Sequence, residues 1–367
     1  MSSSNSGSSG VMKVLAFLVL IVAMAGAVVL WQAFRFLRTP AGTSSEVVVF
    51  NLERGQSSRE VAGRLAADGL ITDADKFRIY SRIKGQAANL RVGEYALRRN
   101  MTPSEILRTL VSGRSIEYVV TVSEGLNRFE IAAIVEKAGI GKADEFMRLT
   151  ADVEFVRATL GDLWSPDVAN LEGYLFPETY HVTRSLGVRG LIRQMVAKFK
   201  EQLARVQYGS PIAVPLTRHQ LVTLASIVEK ETGAPEERPL ISSVFHNRMK
   251  KRMRLQTDPT VIYGVWVRDG VWNGNISRKD LTTPTPYNTY VIPSLPPGPI
   301  ANPGFHALQA AARPEESPFL FFVSRNDGTH IFSETYQKHR SAVDEYQLNR
   351  KAREGKSWRD LNKRRAQ

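Results

Sequence analysis

No cysteine occurs among the 367 residues, which excludes thiol catalysis, cysteine-ligated metals and disulfides. The six histidines, His181, His219, His246, His306, His330 and His339, form no HExxH-like pair, which argues against a zinc hydrolase. A G-x-S-x-G elbow, a Walker A loop and a GxGxxG fingerprint are also missing. Serine-elbow hydrolysis and nucleotide binding therefore have no motif to rest on, and neither metal nor cofactor is expected. Acidic residues are the minority charge: 49 Lys/Arg against 36 Asp/Glu leave a net +13. Arg350 to Gln367 hold eight basic and two acidic residues, a net +6, which leaves +7 for the other 349 positions. Such a tail suits nucleic acid, anionic lipid or an anionic cell wall, or is simply a solvated helical end. No nucleic-acid-binding fold is recognisable, so nucleic acid is not an expected partner. What remains is carboxylate chemistry, and glycoside cleavage is its commonest template.

Hydrophobic residues at 43% and charged residues at 23% describe ordinary globular material, long enough for two or three domains. Residues 1–10 are a Ser/Gly-rich leader expected to be disordered. Val14 to Phe34 then run for 21 residues without a charge, enough to cross a bilayer core of about 30 Å. Ala25-Gly26-Ala27 offers a signal-peptidase site, but the apolar run continues past it through Trp31, which favours an uncleaved anchor at 11–34. Lys13 precedes the span and Arg35 and Arg38 follow it, a charge count that leans against export but does not decide the matter for a long domain.

A linker is expected over 35–45. Alternating apolar runs at Glu46–Leu52, Gly93–Leu97 and Tyr118–Val122 are each followed by a capping box, Ser57…Glu60, Thr102…Glu105 and Asn127…Glu130. These strand–helix units fit a binding or spacer module. Helices are expected over Ala143–Leu160, Val188–Val206 and Glu236–Met253, and a hairpin joins Phe319–Ser324 to Thr329–Ser333 across Arg325-Asn-Asp-Gly328. Tyr174, Phe176 and Tyr180 form either a sugar-stacking surface or core.

The most informative helix ends in Ser226-Ile227-Val228-Glu229-Lys230-Glu231-Thr232-Gly233. Thr217 and Gln220 have capping-box spacing at its start, and Gly233 stands where a helix stops. On a wheel with Leu221 at 0°, Leu224, Ile227 and Val228 fall at roughly 300°, 240° and 340°. Glu231 falls among them at about 280°, Lys230 opposite at about 180°, and Glu229 on the other margin at about 80°. Burial and the negative end of the helix dipole both favour a protonated carboxyl, which is what a general acid requires. The pattern alone leaves Glu229 and Glu231 both open, and leaves open that either is merely a solvated edge residue.

Several segments together resemble the YceG-like family. They are the N-terminal anchor, Glu172-Gly-Tyr-Leu-Phe-Pro-Glu-Thr-Tyr180, Ala225-Ser-Ile-Val-Glu-Lys-Glu-Thr232, Val244-Phe-His-Asn-Arg248, Leu255-Gln-Thr-Asp-Pro-Thr-Val-Ile-Tyr-Gly264, Thr285-Pro-Tyr-Asn-Thr-Tyr290 and Leu295-Pro-Pro-Gly298. The resemblance implies an α+β protein with a single membrane helix, a LysM-like module over 46–115, a larger mixed α+β catalytic domain over 116–347 and a basic tail over 348–367. It implies lytic cleavage within peptidoglycan glycan strands, with the second Glu of the E-K-E-T motif, Glu231, as general acid and base. Glu229, Gln256, Asp258, Tyr287 and Asn288 are then candidates for holding sugar or for shaping the acid's environment. The enzyme is expected on the outer side of the inner membrane, in contact with peptidoglycan synthases such as penicillin-binding proteins. Two rivals stand: a hydrolytic muramidase using Asp258 or Glu172 as second carboxylate, and a non-enzymatic glycan-binding scaffold.

Overall fold

The computed structural model describes residues 7–232, 234–270 and 275–349. The stop signal at Gly233, the first six residues of the expected leader and the basic run from residue 350 onward lie outside the described residues. The chain divides into two compact units, residues 1–118 with 183–185, and residues 119–182 with 186–367.

In the first unit, α1 (Gly7–Arg38) is one unbroken helix that contains the uncharged run. It is long and apolar enough to cross a membrane. Helix also replaces the start of the expected linker: α1 continues to Arg38, and Phe36 is only 8% exposed because it packs into the core of the unit. β1 (Val47–Leu52) is followed by α2 (Ser58–Ala67) and α3 (Ala74–Ile83), then β2 (Gly93–Arg98) and α4 (Pro103–Ser112). β1 and β2 pair antiparallel with Phe50 opposite Tyr95. Alternation along β1 sends Phe50 and Leu52 inward to meet Val61, Leu65, Phe77 and Ile106. The capping boxes at Ser57 and Thr102 both form, and α4 stops at Gly113, whose φ of +72° suits glycine.

The second unit begins with β3 (Tyr118–Thr121), which pairs with β4 (Thr179–Val182). Between them lie α5 (Arg128–Lys137), α6 (Ala143–Ala151) and α7 (Val153–Leu160). The single helix expected over 143–160 is thus two, broken at Asp152, whose side chain caps the second through the Phe155 amide. α8 (Gly187–Leu203) leads to α9 (Arg218–Glu231), α10 (Arg238–Lys250), α11 (Asp258–Asp269), α12 (Arg278–Thr282) and α13 (Phe305–Ala312). The expected hairpin is β5 (Phe321–Ser324) with β6 (His330–Ser333), paired with Phe322 opposite Phe332, and α14 (Tyr336–Val343) follows. Tyr174, Phe176 and Tyr180 are buried, so they are core and not a sugar platform.

The pivot of this unit is α9, which packs on α13, α10 and α11. The sequence pattern predicts a one-sided helix, yet every residue from Leu221 to Glu229 is buried. Helices and the loop before α13 cover its polar side as well, so Thr223 and Ser226 have to be satisfied internally. Thr223 donates to the His219 carbonyl, and Ser226 donates to the Thr223 carbonyl while accepting from the Ile300 amide.

Candidate active site

Four segments converge at the carboxyl end of α9. The helix contributes Glu231 as its final residue before Thr232 turns extended. The turn entering α11 contributes Gln256 and Asp258, α10 contributes Arg248, and the loop before α13 contributes Tyr290. The hairpin and α14 close the far side with Phe321, Phe322, Tyr336 and His339. Together they line a cavity of about 340 Å³.

Glu231 is half-buried on the cavity wall, as its wheel position requires. Its carboxyl is pushed up to about 7, chiefly because its surroundings exclude water. The neighbouring Asp258 carboxylate adds to the rise, whereas the Thr257 hydroxyl and the Arg248 guanidinium pull it back. That hydroxyl is buried and has no hydrogen-bond partner of standard geometry among the described residues.

Arg248 is buried and held rigidly by the chain around it. Its Nε donates to the Leu320 carbonyl at 2.7 Å and its Nη1 to the Leu255 carbonyl at 2.6 Å. Its face lies 5.3 Å from the Phe321 ring, so one cation ties the hairpin to the turn beside Glu231. Phe321 also stacks on His339 with centroids 5.2 Å apart and meets Tyr336 edge-on at 6.0 Å. Burial pushes His339 down, and its Nδ1 is buried without a partner among the described residues.

The turn is strained where it faces the cavity: Gln256 adopts φ +49°, which side chains other than Gly and Asn seldom occupy. Its amide is pinned to the Thr289 carbonyl at 3.2 Å, and the next amide, of Thr257, to the Thr289 hydroxyl at 3.0 Å. Asp258 opens α11, and its Oδ1 accepts from the Tyr290 hydroxyl at 2.6 Å. Loop and turn are thereby locked to each other.

Three of the candidates do not line this cavity. Glu229 is buried with both oxygens engaged, one by Arg238 at 2.7 Å and the other by the Gly304 amide at 2.9 Å. It therefore fixes the loop and α13 to α9 and does not line the cavity. Asn288 is fully buried; its Nδ2 donates to the carbonyls of Asp280, Leu281 and Thr283 and its Oδ1 accepts from the Tyr290 amide. It shapes the loop that presents Tyr290. Tyr287 packs edge-on against Tyr263 with centroids 4.9 Å apart, also off the cavity. Of the six expected residues, Glu231, Gln256 and Asp258 are brought together. Sequence reasoning missed Arg248, Tyr290 and the aromatic wall. Arg248 and Tyr290 both close family-like segments, Val244–Arg248 and Thr285–Tyr290, but nothing in the pattern separates them from their neighbours.

Glu172, one of the two rival second carboxylates, is only 1% exposed. It accepts from the Arg128 amide at 3.0 Å, the Tyr263 hydroxyl at 2.9 Å and the Asn302 amide group at 3.0 Å. Burial raises it to about 7, with Arg128 opposing. Gly173 lets this loop seat closely, because its φ is +85° and a Cβ would lie 2.5 Å from Pro299. Glu172 is a core tie and out of reach of the cavity. A larger cavity, about 760 Å³, opens at the other end of α9 beside His219. Both His219 ring nitrogens are committed, Nε2 donating to the Pro297 carbonyl and Nδ1 accepting from the Tyr174 hydroxyl, so no free acid or base faces it from that side chain.

Residues 50–345 match the YceG-like family. A Bacillus subtilis protein named endolytic murein transglycosylase is 32% identical over 317 residues, 83% of this chain and 86% of that protein. A Streptococcus pneumoniae protein of the same name is 29% identical over 330 residues, covering 83% of this chain and 59% of its own length. A crystal structure of a YceG-like protein from Listeria monocytogenes superposes with a TM-score of 0.52 at 30% identity, covering 82% of this chain and 100% of that one.

Proposed function

The chain belongs to the YceG-like family, and on that premise we propose that it is an endolytic murein transglycosylase. It cleaves the bond between MurNAc and GlcNAc within peptidoglycan glycan strands and leaves 1,6-anhydro-MurNAc ends. The observation that carries this reading is Glu231, a carboxyl raised to about 7 and facing a cavity walled by aromatic rings.

The chemistry follows from that carboxyl. Protonated Glu231 gives its proton to the glycosidic oxygen as the bond to C1 breaks and positive charge develops on the ring. The carboxylate left behind then takes the proton of the MurNAc C6 hydroxyl, whose oxygen closes on C1. Glu231 ends as it began, and no second carboxylate is needed to activate water. Arg248 favours the charged form of Glu231 and so eases the state between the two proton transfers. Phe321, Tyr336 and Tyr290 offer faces for sugar rings, while Gln256 and Asp258 offer polar groups for their hydroxyls. Glu229, Asn288 and Tyr287 act by holding the loop and not by touching sugar.

The test is Glu231→Gln. Release of anhydro-muropeptides from purified glycan strands, read by mass spectrometry, is expected to vanish while the circular dichroism spectrum is kept; undiminished release sinks the assignment. A hydrolytic reading keeps one support, since Asp258 does line the cavity. It predicts reducing MurNAc ends where the transglycosylase gives anhydro ends. A scaffold predicts binding to sacculi without soluble products.

The strand–helix–helix–strand order of β1, α2, α3 and β2 supports a LysM-like, glycan-binding role for the first unit. The length and apolarity of α1 support a single-pass anchor; the reading sets it in the inner membrane with the enzyme outside, where peptidoglycan lies. Contact with penicillin-binding proteins belongs to the same reading, and co-purification from cross-linked membranes tests it.

A further inference from the structure

The first unit holds a slot of about 380 Å³ between the end of α1 and one face of α3, apart from anything the proposed chemistry uses. Val29, Ala33, Phe36 and Leu37 form one wall. The other is a stripe at helical spacing, Lys76, Ile79, Tyr80, Ile83 and Lys84. Ile79 is 53% exposed and Ile83 79%, a large apolar outlay for water to cover. The slot also has a defined place along the chain. It begins within the uncharged run and ends where Arg35 and Arg38 appear, so for an inserted α1 it lies at the bilayer surface. Charge agrees with that place. The same two segments carry Arg35, Arg38, Lys76, Arg78, Arg82 and Lys84, against Asp73 and Asp75, a net +4. Asp73 pairs with Lys76 at 3.1 Å and Asp75 with Arg78 at 3.1 Å, so the acids are accounted for by two of the six cations.

We propose that the slot between α1 and α3 holds an anionic phospholipid of the bilayer that α1 crosses, its acyl chain against Ile79 and Ile83 and its phosphate beside Lys84. The continuity of the slot with the membrane helix names the occupant, and its basic rim names the headgroup. The inference rests on the anchoring reading above.

The absence of native cysteine permits single spin labels at Leu20→Cys, within the span, and at Ile83→Cys, in nanodiscs of phosphatidylcholine with phosphatidylglycerol. Both labels are expected to collide with oxygen and to be shielded from a water-soluble nickel chelate. Native mass spectrometry of the full chain is expected to find phosphatidylglycerol retained over phosphatidylcholine. Lys84→Glu, with Lys76→Glu added, is expected to cut that retention about ten-fold, as charge reversal at a lipid surface should. A shielded Leu20 with a nickel-exposed Ile83 overturns the proposal alone; exposure of both overturns the anchoring reading and the proposal with it. Equal retention of the two lipids, or retention unchanged by the double reversal, also overturns the proposal.

Discussion

Two carboxyls, Glu231 and Glu172, are held near 7 by burial, and they set how stability responds to pH. A carboxyl whose folded pKa lies above its ordinary value of 4.5 binds its proton more tightly in the folded state. Its stabilising share is complete below about 4.5 and is lost as pH rises through about 7. Melting temperature is therefore expected to fall between pH 5 and pH 8. Glu231→Gln cannot ionise, so it should gain on the native protein by roughly 1–3 kcal/mol at pH 8 and by little at pH 5. Calorimetry at the two pH values checks this, and a larger gain at pH 5 would contradict it. Glu172 behaves differently on truncation, because it is surrounded by donors. Glu172→Ala strands the Arg128 charge and three donors, and should cost about 3–5 kcal/mol in denaturant unfolding. Legibility at this scale was uneven. A helical wheel separates Glu231 from Lys230 because rotation by 100° per residue is local geometry. It does not separate Glu231 from Glu229, because the partner that claims Glu229, Arg238, sits on the next helix and the Gly304 amide lies 75 residues on.

Elements were legible where their signals are short-range. The capping boxes at Ser57, Thr102, Asn127 and Thr217 all form, since each is a contact across three residues. Thr217→Ala should cost about 1 kcal/mol, measured by urea unfolding, because it leaves an α9 amide without its partner. The β5–β6 hairpin was legible for the same reason, but its use was not. Phe321 lies 90 positions from Glu231, and only the fold, through Arg248 and the Leu320 carbonyl, sets the hairpin against the end of α9. Phe321→Ala is expected to lower kcat/KM about ten-fold, mostly through KM, since a stacking face is worth about 1.4 kcal/mol. Steady-state kinetics on defined glycan strands separates that from a loss confined to kcat. α11 holds Pro259, a residue type that often marks a turn but here stands in the first helical turn.

Across the whole molecule, the join between α1 and the rest of the first unit was the least legible feature. Arg35 and Arg38 look like the edge of a linker, whereas the helix runs on and Phe36 enters the core. Where a soluble version is cut therefore matters. A chain beginning at Arg35 keeps Phe36, and one beginning at Gly42 loses it with Leu37. The second should melt at lower temperature, with a deficit of about 3–5 kcal/mol as for other buried phenylalanine deletions. Equal melting of the two would show that Phe36 carries no load.

Phe34 closes the uncharged run and Phe36 is already core, two residues apart, which is about 3 Å of helical rise. A membrane helix that ends in a flexible leash can tilt without consequence for what it carries. This one has no leash. With α1 as the proposed anchor, a thinner bilayer would make it lean to keep its apolar length covered, and α2, α3, α4 and the β1–β2 pair would lean with it. On the anchoring reading proposed above, membrane thickness becomes a mechanical input to the rest of the first unit.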